Sequence, residues 1–276
     1  MKRAQFTQMS IRPSLLIASL AISIPAVVMA FIAMPTRPNL SINEKDGVLN
    51  IEELMHRVLQ LNQQKKHQEA LDLLLAAIDK HKDDSLLRAM LTQTFDLFLE
   101  DEVRIGQEEI KVNKYKVGAY TRVAGALELM GDNFRAMEVL INGVSLNPNA
   151  AELWMKVGKL EHKGKRDLEA LDVFKEVIRL EPSSSDAYNN AAFVLAQTNK
   201  CSEDDLKEAA VFAQKARNLD PNNPEYMDTL AEVHYLQGNQ ALALSLIKEA
   251  LKIAPDREMF KSQLKRFSSR SGLKFE

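Results

Sequence analysis

The stretch 151–182, AELWMKVGKLEHKGKRDLEALDVFKEVIRLEP, closes on a proline whose upstream neighbours recur elsewhere in the chain. Counting back from Pro148, Pro182, Pro221 and Pro255, the second residue is Leu146, Leu180, Leu219 or Ile253, and the twelfth is Ala136, Ala170, Ala209 or Ala243. Successive prolines stand 34, 39 and 34 residues apart. A period of about 34 residues is the mark of a helix-turn-helix repeat array.

The side chains within each period explain why. Tyr120, Trp154 and Met227 lie 28 residues before three of the prolines, and four residues on come Ala124, Gly158 and Ala231. A large and a small apolar residue at i, i+4 share one helix face, so the first fills a core while the second lets a neighbouring helix approach. The second helix carries its own stripe: alanine at minus twelve, then Leu140, Phe174, Ala213 or Ile247 at minus eight, then Gly143, Val177, Ala216 or Ala250 at minus five. Proline stops that helix, lacking an N–H and clashing with the preceding turn. Gly131-Asp132-Asn133, Lys163-Gly164-Lys165 and Gly238-Asn239 read as turns inside the pairs, with glycine supplying positive φ. Asn223-Pro224-Glu225 reads as a helix start.

With these positions the chain resembles the tetratricopeptide-repeat family: Trp154, Val157, Gly158, Ala170, Phe174 and Pro182 match that family's large-hydrophobic, Leu-Gly, Ala, Phe and Pro positions. The resemblance implies an all-α superhelical solenoid of helix-turn-helix pairs, with full repeats at 117–150, 151–184, 185–223 and 224–257. The third is five residues too long, and the excess falls near Asn199 to Lys207. Ser202 with Asp205 looks like a capping box there, so the insertion lengthens the second helix. Residues 51–84 keep Ala70, Leu74 and Ala77 at the right spacing, but Lys82 replaces the proline. In 85–116 the expected small and apolar positions hold Arg104 and Glu108, so only helical pieces around Phe95, Leu99, Val103 and Ile110 are expected, and 51–116 is read as degenerate repeats. Residues 258–276 form a capping helix and tail, in which Phe260, Leu264 and Phe267 cover the last repeat's core.

The other informative segment is N-terminal. After a basic segment, 1–13, the 21 residues from Ser14 to Met34 carry no charge, and roughly 20 apolar residues span a bilayer core as a helix. This is a single transmembrane anchor, or a signal peptide with Val28-Met29-Ala30 as its cleavage site. Lys2, Arg3 and Arg12 precede it and only Arg37 follows closely, which places the repeats outside the cytoplasm, in the periplasm of a bacterial cell. Residues 35–50 are the linker, and Asn50 with Glu53 caps the first helix beyond it.

Composition and motifs narrow the function. The first 37 residues hold four basic side chains and no acid, leaving 32 basic against 38 acidic, a net −6. Such a balance argues against nucleic acid as a partner. The five histidines, His56, His67, His81, His162 and His234, show no HExxH or paired-ligand spacing, and phosphate and dinucleotide loops are missing. No metal, cofactor or catalytic residue is expected. The acids Glu100, Asp101, Glu102, Glu108 and Glu109 are solvated faces or, in an enzyme reading, acid–base groups. The one cysteine, Cys201, allows no internal disulfide, and self-association of the array stays open. Asn39-Leu40-Ser41 fits a glycosylation sequon.

What remains is a binding surface. The resemblance implies that positions two, five, nine and twelve of each repeat face a concave groove: Thr121 and Glu128; Glu152, Met155, Lys159 and His162; Asp186, Asn189 and Phe193; Glu225, Asp228, Glu232 and Tyr235. The groove runs from a basic and amide-rich centre to an acidic end, which suits a protein partner or an extended peptide. The family's clamp for carboxylate termini is not expected, since Asn190 fits it but Met155, Glu225 and Thr229 do not.

Overall fold

The computed structural model describes residues 51–81, 84–198 and 201–269. Its repeated unit is a 13-residue helix, a short turn and a 14-residue helix. The helices are α1 Ile51–Gln63, α2 His67–Lys80, α3 Ser85–Val112, α4 Val117–Leu129, α5 Asn133–Leu146, α6 Ala151–Lys163, α7 Asp167–Leu180, α8 Ser185–Gln197, α9 Glu203–Leu219, α10 Pro224–Leu236, α11 Gln240–Ile253 and α12 Glu258–Ser268. Among the described residues there is no strand. The segments 1–13, 14–34 and 35–50, with the sequon and Asn50, lie outside the described residues, as does the tail from Arg270. No described helix is long and apolar enough to cross a membrane.

Two local geometries recur at repeat length. Each second helix ends on a residue with φ between −125° and −138° (His81, Asn147, Glu181, Asp220, Ala254). The carbonyl of that residue accepts from the backbone N–H three residues on, at 3.2 Å from Asp84, 3.0 Å from Ala150 and from Ser184, 3.4 Å from Asn223 and 3.3 Å from Arg257. Each proline thus follows the first residue of a four-residue turn, where its fixed φ is already correct. It shapes the joint between repeats as well as ending a helix. Repeat 51–84 closes the same joint at His81 and Asp84 without proline.

The second geometry is the turn inside four of the pairs. Its positive φ falls on Lys65 (59°), Gly131 (81°), Lys165 (63°) and Gly238 (81°). In Lys163-Gly164-Lys165 the left-handed residue is therefore Lys165, while Gly164 has φ −77°, a correction to the glycine expectation. The register of the turn, set by the helices on both sides, overrides the local preference for glycine.

The chain divides into two units, one up to Asp101 and one from Glu102. In the first, Leu54, Val58 and Leu61 of α1, Ala70, Leu71, Leu74 and Ile78 of α2, and Leu87 and Leu91 of α3 are buried. A polar chain runs through it: Asn62 donates to Thr94 Oγ1 at 2.9 Å and meets His67 Nδ1 at 3.0 Å, while His67 Nε2 lies 3.2 Å from Asp101. The pieces expected in 85–116 are one 28-residue helix, α3. Where a pair would turn, the sequence has Phe98, Leu99 and Glu100, and nothing there ends a helix.

In the second unit each first helix packs on its own second helix, and the first helices α4, α6, α8 and α10 also touch in succession. Tyr120 sits against Gly143 and Phe174 against Gly158, so the large residue of one helix lies on the small residue of its mate. Tyr120 Oη donates to the Lys114 carbonyl and Trp154 Nε1 to the Pro148 carbonyl, both at 2.8 Å, tying the same register position to the joint before it. α9 has 17 residues, three more than the other second helices, and its start is a complete capping box of Ser202 and Asp205. Phe260 and Phe267 of α12 are fully buried in the last core with Met227, Ile247 and Ala250, and Leu264 packs against it.

Candidate groove on the first helices

Positions two, five, nine and twelve of the first helices are the ones the family resemblance assigns to a groove. Helical spacing places residues five and nine of one repeat a turn apart on one stripe. Along this face Thr121, Glu128, Met155, His162, Asn189 and Glu232 are half-buried, and Lys159 and Phe193 are exposed. Asp228 and Tyr235 are buried, at 9% and 8% exposure. Spacing along the chain yields the shared stripe and misses these two burials, because they depend on which helices lie alongside.

The centre is held by short contacts. His162 Nδ1 lies 2.8 Å from Asp167 Oδ1, and its ring meets Phe193 edge-on with centroids 5.6 Å apart. Asn190 donates to the Met155 sulfur at 3.4 Å, so the one residue that fits the carboxylate clamp is already used within the array. Between α8 and α10, Tyr226 donates to Asp186 at 2.7 Å and shares a 3.1 Å contact with Ser185. Burial chiefly, aided by Asp186, pushes that phenol up to about 12, so it remains a donor at neutral pH.

The C-terminal end is not an open acidic surface. Arg257 pairs with Glu225 and Arg266 with Glu232, both from the chain's own last segment. The Arg266 guanidinium also lies over the rings of Tyr235 and Phe267, at 5.1 and 5.0 Å from their centroids, and those rings stack at 4.6 Å. The acidity expected there is thus largely answered within the array. The charge match is legible in principle, since Glu232 and Arg266 hold the same position of successive repeats.

One pair of groups is left over. Asn189 Oδ1 and Asp228 Oδ1 are enclosed and accept no hydrogen bond. Each is the fifth residue of its helix, on α8 and α10, which pack together. Burial first, then Glu232 and Glu225, push the Asp228 carboxyl up to about 7 against the opposing Arg266. A buried acceptor without a donor costs about 1–3 kcal/mol.

The acids near α3 are occupied elsewhere. Asp101 faces His67 at 3.2 Å, Glu102 lies 3.9 Å from Arg122, and Glu109 bonds Lys116 at 3.0 Å. Among the described residues no group of three or more His, Cys, Asp or Glu side chains could hold a metal ion. Burial, reinforced by Asp205, pushes the Cys201 thiol up, which leaves little reactive thiolate.

No family model matches the chain. It is 28% identical over 183 residues to the TPR repeat-containing protein PA4667 of Pseudomonas aeruginosa, a match covering 64% of this chain and 30% of that protein. It is 25% identical over 143 residues to the protein O-mannosyl-transferase TMTC1 of Mus musculus, covering 51% of this chain and 15% of that protein. The matched stretches therefore span less than a third of either relative. Among solved structures, YrrB, described as a TPR protein with an unusual peptide-binding site, superposes with a TM-score of 0.50 at 16% identity. That match covers 70% of this chain and 97% of YrrB, and it shows a common fold. Recurring helix pairs, register-matched joints and these likenesses together give the described residues a tetratricopeptide-repeat-like fold.

Proposed function

We propose that the chain is a non-enzymatic scaffold whose first helices hold an extended peptide or protein segment. The observation that carries this reading is the pair of enclosed, unpartnered oxygens of Asn189 and Asp228, each at the fifth position of its first helix. A stripe serving only as solvated surface has no reason to enclose acceptors without donors. The peptide-binding site of YrrB, a protein of the same fold, supports the same use here.

We further propose that residues 14–34 anchor this scaffold in a cytoplasmic membrane with the repeats outside, where it serves the assembly of an envelope complex such as a cytochrome-maturation or secretion machine. Support comes from the 21 uncharged residues and the basic side chains before them. The second reading, a cleaved and freely exported adaptor, draws on the small-residue site at Val28-Met29-Ala30. Sequencing the mature N-terminus separates the two: a start at or near Phe31 rejects the anchor.

The groove itself is tested by affinity capture with the full chain. Joint Asn189→Ala and Lys159→Ala changes are expected to release the bound partner while the circular dichroism spectrum is kept. Retention of every partner by the folded double variant would remove the groove from the account.

A further inference from the structure

The last first-helix, α10, carries three acids on its groove face. Glu225 and Glu232 each hold an arginine of the chain, Arg257 and Arg266 respectively. Asp228 stands between them, three residues from one and four from the other, and has no such partner at Oδ1. On the adjacent α8 the residue in the same register, Asn189, turns a second acceptor inward without a donor. Asp186, on the same face of α8, already accepts from Tyr226. The charged groups acting on Asp228 are therefore Glu225, Glu232 and Arg266, and both glutamates are answered.

Two acceptors without donors ask for a donor-rich group. A water molecule would satisfy the hydrogen bonds but would do little to stabilise the ionised form of the buried carboxyl. A cation answers both needs. Asp228 is 9% exposed, so the visiting group must be narrow and long, which suits a side chain better than a peptide backbone. The planar guanidinium of arginine offers five donors in a fixed fork and is more weakly hydrated than an ammonium. One turn beyond Asn189, the exposed ring of Phe193 offers apolar surface for the stem of such a side chain.

We infer that Asn189 and Asp228 together receive a basic side chain, arginine before lysine, from an extended partner segment crossing α8 and α10. This rests on the peptide-groove reading above. Unliganded, Asp228 keeps its proton up to a pH of about 7. Liganded, it is the carboxylate of an ion pair, and the proton passes to solvent. Binding is therefore proton-linked, and affinity for the basic segment rises from pH 6 to pH 8.

The test uses the full chain against a display of random decapeptides, followed by titration calorimetry of the best binder and its arginine-to-citrulline counterpart at pH 6 and pH 8. The arginine peptide is expected to bind about tenfold or more tighter than the citrulline peptide at pH 8, as a charged hydrogen-bonded pair provides. The ratio should shrink at pH 6, and Asp228→Asn should bring it close to one while the protein still binds; Asn189→Ala should lower it partially. Enriched peptides without basic preference, bound alike by wild type and Asp228→Asn, would overturn this inference and leave the groove standing. If wild type enriches nothing beyond what the Asn189→Ala, Lys159→Ala variant enriches, both readings fall.

Discussion

Gly158 has no space for a methyl group: a Cβ there would lie 2.6 Å from Phe174 Cε1 and 2.9 Å from Cδ1. Phe174 is buried and cannot retreat. Alanine normally improves a helix over glycine, yet Gly158→Ala is expected to destabilise the protein by about 1–3 kcal/mol through overpacking. Gly125, on the preceding first helix, is the control, since the nearest atom to its added Cβ is Lys156 Nζ at 4.0 Å. Gly125→Ala should stabilise by up to about 1 kcal/mol from helix propensity alone. Urea unfolding of both variants reads the contrast. At Lys165 the sign reverses, because its φ of 63° is costly for any residue with a Cβ. Lys165→Gly should raise stability by roughly 0.5–1 kcal/mol, visible as a higher urea midpoint at unchanged slope.

At the scale of elements, the prolines gave register, and register gave most of the helix pairs. Ala136, Ala170, Ala209 and Ala243 are all fully buried, as their shared distance from the prolines demands. The rest was illegible for physical reasons. The continuous α3 follows from the lack of any stop at Phe98 to Glu100, and a repeat rule built on stops cannot describe it. The left-handed Lys165 has the wrong residue type for its conformation. Asp228 reads as an open groove acid along the chain because its burial depends on side chains of neighbouring helices. The insertion was readable, since Ser202 and Asp205 bond each other's backbone N–H at 3.1 and 2.8 Å. Ser202→Ala should cost about 1 kcal/mol and fray the start of α9, measured as faster amide exchange over its first turn.

For the molecule as a whole, Asp228 writes a pH dependence into folding. Its folded carboxyl is pushed up to about 7 from an unfolded value near 3.8. Between those values the folded state binds the extra proton, so stability is greatest at the acidic end of the window and falls as pH rises toward 7. Asp228→Asn removes the titration. Between pH 5 and pH 8 the stability of the variant relative to wild type should rise by about 2–4 kcal/mol, because each tenfold gain in proton affinity on folding is worth about 1.4 kcal/mol. Equal differences at both pH values would contradict the burial that raises this group. A receptor poised to ionise on binding carries this cost while it is empty.

The final helix sets a limit on growth. Its Phe260 and Phe267 complete the core behind it, while Lys261, Lys265 and Ser268, at the register positions where a first helix meets its mate, are exposed. Adding another second helix on that side, from this chain or a second copy, would take two ammonium groups out of water at several kcal/mol each. The face therefore disfavours the packing of a further helix on it.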